Sequence, residues 1–195
     1  MKKLSTYLLL IFFSFSAPSF AEDISDFEIE GMTIGGSLLD YMSEEEIKEN
    51  VGFVYEDNKF TVSFYNKSSE MYDMVGITYK SNDKTYKIHG VQGLIFFENN
   101  IEGCYKKQDE IEKEISSMFT ETKKNNWGIL TNPSSAEGST FKGITFVFNN
   151  GSRATIECYH YSDIPETDHL KITANSKELA KYLDYTTAQE RKTNN

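Results

Sequence analysis

The densest group of side chains able to do chemistry lies between residues 160 and 169. It contains two histidines and three carboxylates: His160, Asp163, Glu166, Asp168 and His169. Imidazole nitrogens and carboxylate oxygens are ligands for zinc and other divalent ions. The spacing matches no motif with a known mechanism, and Pro165 indicates a loop in which such side chains are solvated. We therefore expect no tightly held metal and no cofactor, and keep His160, Asp163 and His169 as the metal candidates of an alternative interpretation.

Two other patterns point to chemistry less clearly. The run from Gly31 to Ser37 resembles a phosphate-binding loop, but Ser37 stands where that loop has its lysine. A glycine-rich lead-in to a capped helix is therefore favoured. The sequence has no G-x-S-x-G motif for a serine nucleophile. It assigns no catalytic residue.

Three further residues are candidates for structure or binding. Cys104 and Cys158 are the only cysteines. An even count favours one structural disulfide in an oxidising compartment, and the lack of a C-x-x-C pair argues against redox catalysis. Trp127 is the only tryptophan and precedes a polar loop predicted over residues 131–140. A partly exposed indole often anchors an interface, so Trp127 is a candidate binding residue. The alternative is that it packs under the last turn of the main helix.

The helices that position these residues are predicted from caps and periodicity. Residues 37–50 are expected to form two short helices that begin after Ser37 and Ser43, the second with a capping box. The main helix is predicted over residues 101–124, where apolar side chains recur at intervals of three and four. A short strand over residues 170–173 precedes a last helix.

Three hairpins are predicted between the helices. Each is assigned the register that keeps apolar residues on one face. The predicted pairs are Phe53 with Val62, Ile77 with Ile88, and Ile144 with Ile156. The third pair requires a three-residue loop that ends at Gly151, because a two-residue loop would mix the two faces.

Hairpins joined by short loops, with helices between them, predict an α+β protein. Its antiparallel sheet is expected to pack against one long and several short helices. A single domain is predicted over residues 22–185, followed by a flexible tail over 186–195. Residues 27–32 are similar in sequence to residues 86–91. An alternative is therefore that the chain consists of two pseudo-repeats, with lobes of about 27–97 and 98–185.

The charge of the chain limits its partners. The formal net charge is −10, and a chain this acidic does not bind nucleic acid or anionic lipid by general attraction. After residue 21 the longest purely apolar run is 94–97, far short of the ~20 residues of a membrane span. Together with the export that the first 21 residues predict, this leaves a periplasmic protein or an envelope component as the expected partner.

The first 21 residues have the pattern of a secretory signal peptide. Lys2 and Lys3 precede an apolar run, and Ser19 and Ala21 occupy the −3 and −1 positions of a cleavage site. Glu22 follows where a lipoprotein has cysteine, so no lipid anchor is expected. The chain is predicted to be exported, with the periplasm as the favoured location and full secretion as the alternative.

The opening of the mature chain resembles known exported proteins. Residues 27–41, from Phe-Glu-Ile-Glu-Gly-Met-Thr to Leu-Leu-Asp-Tyr, and residues 43–47 resemble a family of uncharacterised small exported proteins from AT-rich marine bacteria, and the likeness extends to residues 97–107. The same opening is similar to β-lactamase inhibitor proteins and outer-membrane-assembly lipoproteins. This resemblance implies an α+β module and carries over no binding residue.

Two classes of function remain open at this point. The first is a non-catalytic binding or interaction module. The alternative is a protein that binds a small ligand or a divalent metal, including a hydrolase that would use the 160–169 cluster. The first class is favoured, because no residue pattern assigns a catalytic group.

We predict that the mature protein begins at Glu22. The basis is the small residue at each of the two positions that signal peptidase reads, Ser19 and Ala21. N-terminal mass analysis of the protein from the exported fraction should give this start. Retention of the leader, or recovery from the cytoplasm alone, would contradict it.

Overall fold

The fold is organised around an antiparallel sheet of eight strands. A computed structural model describes residues 23–65, 71–133 and 135–193, and the predicted signal peptide lies outside the described residues. The strands are β1 (Glu28–Ile29), β2 (Met32–Thr33), β3 (Val51–Val54), β4 (Phe60–Tyr65), β5 (Met74–Lys80), β6 (Ile88–Phe96), β7 (Lys123–Thr131), β8 (Thr140–Val147), β9 (Arg153–His160) and β10 (His169–Asn175). The helices are α1 (Glu44–Glu49), α2 (Ile101–Met118) and α3 (Lys177–Thr193), with single 3₁₀ turns at Ile24–Asp26, Leu38–Asp40 and Pro165–Thr167.

The order of the strands defines the topology of the sheet. The large sheet has the order β3-β4-β5-β6-β10-β9-β8-β7, and β1 and β2 form a separate hairpin. Neighbouring strands are antiparallel throughout. Strands β3 to β6 are one meander and β7 to β10 are a second, and the two meet where β6 pairs with β10. The predicted α+β class with an antiparallel sheet is confirmed.

The two faces of the sheet differ because side chains alternate along each strand. The face that packs against α2, which we call the helix face, carries the buried core. Its members include Ile77, Val91, Ile144, Ile156 and Leu170. We call the opposite face the open face. Helix α3 covers one end of it, where Leu179 approaches Gly90 so closely that an added Cβ would lie 2.6 Å from Cδ2.

Helix α2 is fixed to the sheet by the predicted disulfide between Cys104 and Cys158. Both residues are buried. One turn later Gln108 is also buried, and its Nε2 donates to the carbonyl oxygens of Lys142 and Ile156. The helix is therefore attached to β8 and β9 by a covalent bond and two hydrogen bonds.

The predicted short helices near the N-terminus are confirmed. Ser37 caps a 3₁₀ turn, and Ser43 caps α1. The hydroxyl of Ser43 accepts from the N–H of Glu46, whose carboxylate accepts from the N–H of Ser43. Ile47 of α1 is fully buried in the core. The capping box therefore sets the start of a helix that contributes one large apolar side chain.

Helix α2 ends at Met118, earlier than the predicted end at Lys124. Phe119 leaves the helix and buries its ring against Phe27 and Phe148, with centroids 6.2 and 5.0 Å away. The residues that follow form β7, which the sequence pattern did not reveal. Its first four residues are polar, a composition that an exposed outer strand tolerates.

The first and third predicted hairpin registers are confirmed. Phe53 pairs with Val62. Ile144 pairs with Ile156 across a three-residue loop in which Gly151 has a φ of +87°. A positive φ of this size favours glycine, so the residue type and the register agree.

The predicted register of the second hairpin is wrong. Ile77 pairs with Val91 and not with Ile88. The carboxylate of Asp83 accepts hydrogen bonds from two later backbone N–H groups, and Tyr86 has a φ of +46°. The turn therefore occupies more residues than the two that the apolar pattern predicted.

The last helix is longer than predicted. It begins after Ser176, whose hydroxyl accepts a backbone N–H of the first turn, and its 17 residues reach Thr193. The described part of the chain thus has two long helices, where the sequence predicted one. The predicted tail at 186–195 is helical as far as residue 193, and the last two residues lie outside the described residues. Apolar periodicity stops at Leu183, so the sequence pattern did not indicate the helical turns that follow. No helix in the described ranges is long and apolar enough to span a membrane.

We predict that the double variant Cys104→Ala/Cys158→Ala is less stable than the oxidised protein by about 4 kcal/mol, because the bond closes a loop of 54 residues in the unfolded chain. Urea unfolding measures the difference. As a control, reductant should lower the stability of the native protein and leave the double variant unchanged. Equal stability of the oxidised protein and the variant would contradict the prediction.

Candidate ligand-binding site

A cavity of about 420 Å³ lies on the open face, and we call it the trough. Phe53 of β3 and Trp127 of β7 line it from the two outer strands. Because both outer strands reach the same cavity, the sheet curves around it. Leu179, Leu183 and Asp184 of α3 line the end that this helix covers.

The floor of the trough is polar. It carries hydroxyl and amide side chains from five neighbouring strands, namely Thr78, Gln92, Thr145, Thr155 and Thr173. Strand pairing places four of them in one row, in the order Gln92, Thr173, Thr155, Thr145. The hydroxyls of Thr145 and Thr155 lie 3.3 Å apart. Threonine suits an extended backbone and offers both a donor and an acceptor, so the floor presents hydrogen-bonding groups.

A hydrogen-bonded ion pair lies beside this row. Nζ of Lys171 is 2.9 Å from Oε2 of Glu157 and donates to the hydroxyl of Tyr159, also at 2.9 Å. The Tyr159 hydroxyl donates to Oε1 of Glu157. Burial alone would lower the pKa of Lys171, but attraction to Glu157 and the hydrogen bonds outweigh it and raise that pKa. Burial raises the pKa of Tyr159 to about 12, so the phenol remains a donor.

The second cation of the trough is also paired. Nη1 of Arg153 lies 2.8 Å from Oδ1 of Asp184, and Nη2 donates to the carbonyl oxygen of Ala180. Its guanidinium therefore links β9 to α3. With Lys171 and Glu157 these are the charged residues among those that line the trough. The lining thus has two cations and two carboxylates, and each cation is paired with a carboxylate.

A row of aromatic rings continues along the open face beyond the ion pair. It consists of Phe96, His169, Tyr161, Tyr159 and Phe141. Tyr159 stacks on His169 at 5.1 Å and on Phe141 at 5.9 Å. Trp127 meets Phe141 at an angle of 81°. The row therefore connects the centre of the sheet to the wall that Trp127 forms.

The position of Trp127 depends on a glycine in the next strand. A Cβ on Gly143 would lie 2.4 Å from Cε3 of the indole, so the ring occupies the space that a side chain would fill. Trp127 is partly buried and lies on the open face. It does not pack under the end of the main helix, which lies on the other side of the sheet. The predicted loop between residues 131 and 140 connects β7 to β8.

The structure separates the two histidines of the 160–169 cluster. His160 is on the helix face, and its Nδ1 is 2.9 Å from Oδ2 of Asp168, which is buried and also accepts from the N–H of Tyr161. His169 is on the open face, and its Nδ1 lies 2.9 Å from the carbonyl oxygen of Thr167. Asp163 and Glu166 are exposed.

Two consequences follow for the cluster. His160 and His169 lie on opposite faces, so they do not share a ligand. The described part of the chain contains no group of three or more His, Cys, Asp or Glu residues that could hold a metal ion.

Sequence reasoning missed the central ion pair. Lys171 lies between Leu170 and Ile172, and Glu157 lies between two residues of the helix face. A charged residue inside an apolar alternation is the signal that would have found each of them, because period two places it opposite the core. The pairing of Lys171 with Glu157 additionally required the alignment of β9 with β10.

Comparisons with known proteins add no assignment. No protein-family model, curated protein or solved structure matches this chain. The shape, the hydrogen-bonding groups and the charges of the trough are therefore the basis for assigning it a function.

We predict that the free energy of unfolding falls as the pH drops below about 6.5, the pKa of histidine in an unfolded chain. Burial lowers the pKa of His169 and of His89. Just below pH 6.5 the unfolded state therefore binds more protons than the folded state. The stability lost on acidification returns when the pH is raised above this value. Urea unfolding at several pH values gives the slope. His169→Gln and His89→Gln should each flatten it, and an unchanged slope in the double variant would refute this assignment.

Proposed function

We propose that the protein is a non-catalytic binding module that acts outside the cytoplasm and holds part of an envelope component in the trough. The observation that carries the proposal is the trough itself. It is a cavity on the open face with a polar floor and aromatic walls. Cavities of roughly 300–1,000 Å³ with a few convergent polar groups are typical of ligand sites.

The charges of the trough support binding without catalysis. Both oxygens of Glu157 accept hydrogen bonds, from Lys171 and from Tyr159. Asp184 is held by Arg153. A general base needs a carboxylate or imidazole directed at the substrate, whereas these carboxylates are directed at neighbouring side chains. The largely buried pair of Glu157 and Lys171 is thus fixed in place before a ligand arrives, which reduces the entropy lost on binding, whereas the side chain of Asp184 is 67% exposed.

Export is supported by the disulfide and by the N-terminal sequence. A structural disulfide persists in oxidising compartments such as the periplasm, and Cys104 and Cys158 form one. The signal-peptide pattern of the first 21 residues agrees with this location. Both features favour a ligand in the envelope or the extracellular medium.

We also infer that the chain consists of two pseudo-repeats within the lobes predicted from the sequence. Strands β3 to β6 follow α1, and strands β7 to β10 follow α2. The strand order outward from the β6–β10 pair is the same on both sides. This symmetry supports a duplication and accounts for a trough that lies across the junction of the two halves.

Site-specific crosslinking tests the proposed function. A photoreactive phenylalanine derivative at position 127 should form an adduct in the native exported fraction, because this position lines the trough. The same residue at position 113 is the control, because Lys113 is exposed on α2, on the other side of the sheet. Adducts from neither position, or equal adducts from both, would refute the proposal.

We predict that Trp127→Ala abolishes an adduct formed from a photoreactive phenylalanine derivative at position 53, which lines the trough, and lowers stability by well under the roughly 3–5 kcal/mol typical of a fully buried tryptophan. Gly143→Val is the matched variant. It retains the indole but places a side chain where Cε3 lies, so it should weaken the adduct and shift the emission of Trp127. Urea unfolding separates loss of binding from loss of fold. A full adduct in both variants would contradict a role for this wall.

A further inference from the structure

We infer that the ligand of the trough is an uncharged carbohydrate, a short segment of a glycan chain. This inference rests on the proposed function and specifies its ligand. Three properties of the trough lead to it: the neutral pairing of its charges, the hydroxyl groups of its floor and the orientation of its aromatic walls.

The charges of the trough disfavour a charged ligand. Arg153 is paired with Asp184, and Lys171 is paired with Glu157. An anion would have to compete with a carboxylate for each cation, within a chain whose formal net charge is −10. A cation would have to displace Lys171 or Arg153 from its partner. A ligand without net charge leaves both ion pairs intact.

The same ion pair still has hydrogen-bonding capacity. An ammonium has three donors, and Lys171 directs two of them to Glu157 and Tyr159. Each oxygen of Glu157 has a further lone pair. Hydrogen bonds that involve an ionised group are stronger than neutral ones. Adjacent hydroxyls of a sugar supply the matching pair, since one can accept from Lys171 while the next donates to Glu157.

The floor of the trough offers further hydrogen-bonding groups for sugar hydroxyls, on several neighbouring strands. Thr173, Thr155 and Thr145 lie in one row with Gln92. Each hydroxyl both donates and accepts, as do the hydroxyls of a sugar. Thr145 and Thr155 contact each other, but an apolar ligand such as a lipid chain would offer no partner to the other hydroxyl and amide groups of the row, which costs free energy for each buried polar group. The floor therefore selects a polar ligand.

The walls provide the apolar contact that a sugar ring also needs. The C–H groups on one side of a pyranose form an apolar surface that packs against an aromatic ring. Trp127 meets Phe141 at 81°, and Phe53 meets Tyr55 at 66°. Trp127 is partly buried and Phe53 is 44% exposed, and both line the trough, so part of each ring is open to a ligand. A cavity of about 420 Å³ is large enough for a few sugar units.

Fluorescence of Trp127 gives a direct test, because it is the only tryptophan in the chain. The probes are oligosaccharides released from the cell envelope of the producing cells by partial hydrolysis and separated by anion exchange into neutral and acidic fractions. The neutral fraction should change the emission of Trp127 saturably. Isothermal titration of the same fractions is the second measurement, which does not depend on the position of the indole.

Variants of floor residues test whether the change in fluorescence comes from binding in the trough. The double variant Thr155→Val/Thr173→Val keeps the volume of both side chains and removes two hydroxyls, so it should weaken binding of the neutral fraction by about tenfold or more. Thr61→Val is the control. Thr61 is buried on the helix face, where its hydroxyl contacts Ser81, and this variant should bind as the native protein does.

The outcomes separate the inference from the proposed function. If the neutral fraction produces no change while position 127, but not position 113, still forms an adduct with an envelope component, the carbohydrate inference is wrong and the binding function stands. Binding of the acidic fraction alone also overturns the inference. If position 127 gives no adduct and neither fraction binds, both are wrong. Saturable binding of the neutral fraction, weakened by the double threonine variant and not by Thr61→Val, supports both.

Discussion

The rest of the structure depends on the pairing of β6 with β10. This pair joins two four-stranded meanders into one sheet, with Phe96 opposite His169 at one end and Gly90 opposite Asn175 at the other. Because side chains alternate with a period of two, the same register determines which groups lie on each face. A slip by one residue would turn Lys171 and Thr173 of β10 towards the core. One backbone register therefore fixes both the stability of the sheet and the composition of the trough.

Part of this fold could be predicted because local chemistry determined it. In the third hairpin, Gly151 and the apolar pattern agree on one loop length, and the register was right. In the second, the apolar pattern favoured a short loop, whereas hydrogen bonds to Asp83 and the positive φ of Tyr86 set a longer one. Strand β7 was missed because its polar start gives no alternation. Such a strand is specified by its neighbour β8 and not by its own residues.

The candidate site was less predictable than the fold, because it is assembled from distant strands. The cluster at 160–169 attracted attention through closeness in sequence, yet β9 and β10 direct His160 and His169 to opposite faces. Trp127 was identified as a binding candidate by its residue type and by its position before a predicted polar loop. The pair of Glu157 and Lys171 is visible in the sequence only as two charges within apolar strands. Its significance emerges when the strand alignment places one charge beside the other.

The ion pair is also the strongest argument that the open face serves binding and not only stability. Removing two charges from water costs free energy, and a well-packed apolar pair is often at least as stable as a partly buried ion pair. The side chain of Lys171 is only 24% exposed and that of Glu157 only 11%. Gly143 has no side chain on this face, and the indole of Trp127 lies across β8 in the space that a side chain would occupy. A sheet selected for stability alone would place apolar residues at such positions. Recognition of a polar ligand, as proposed above, accounts for the charges, and Gly143 provides the space in which the indole of Trp127 lies.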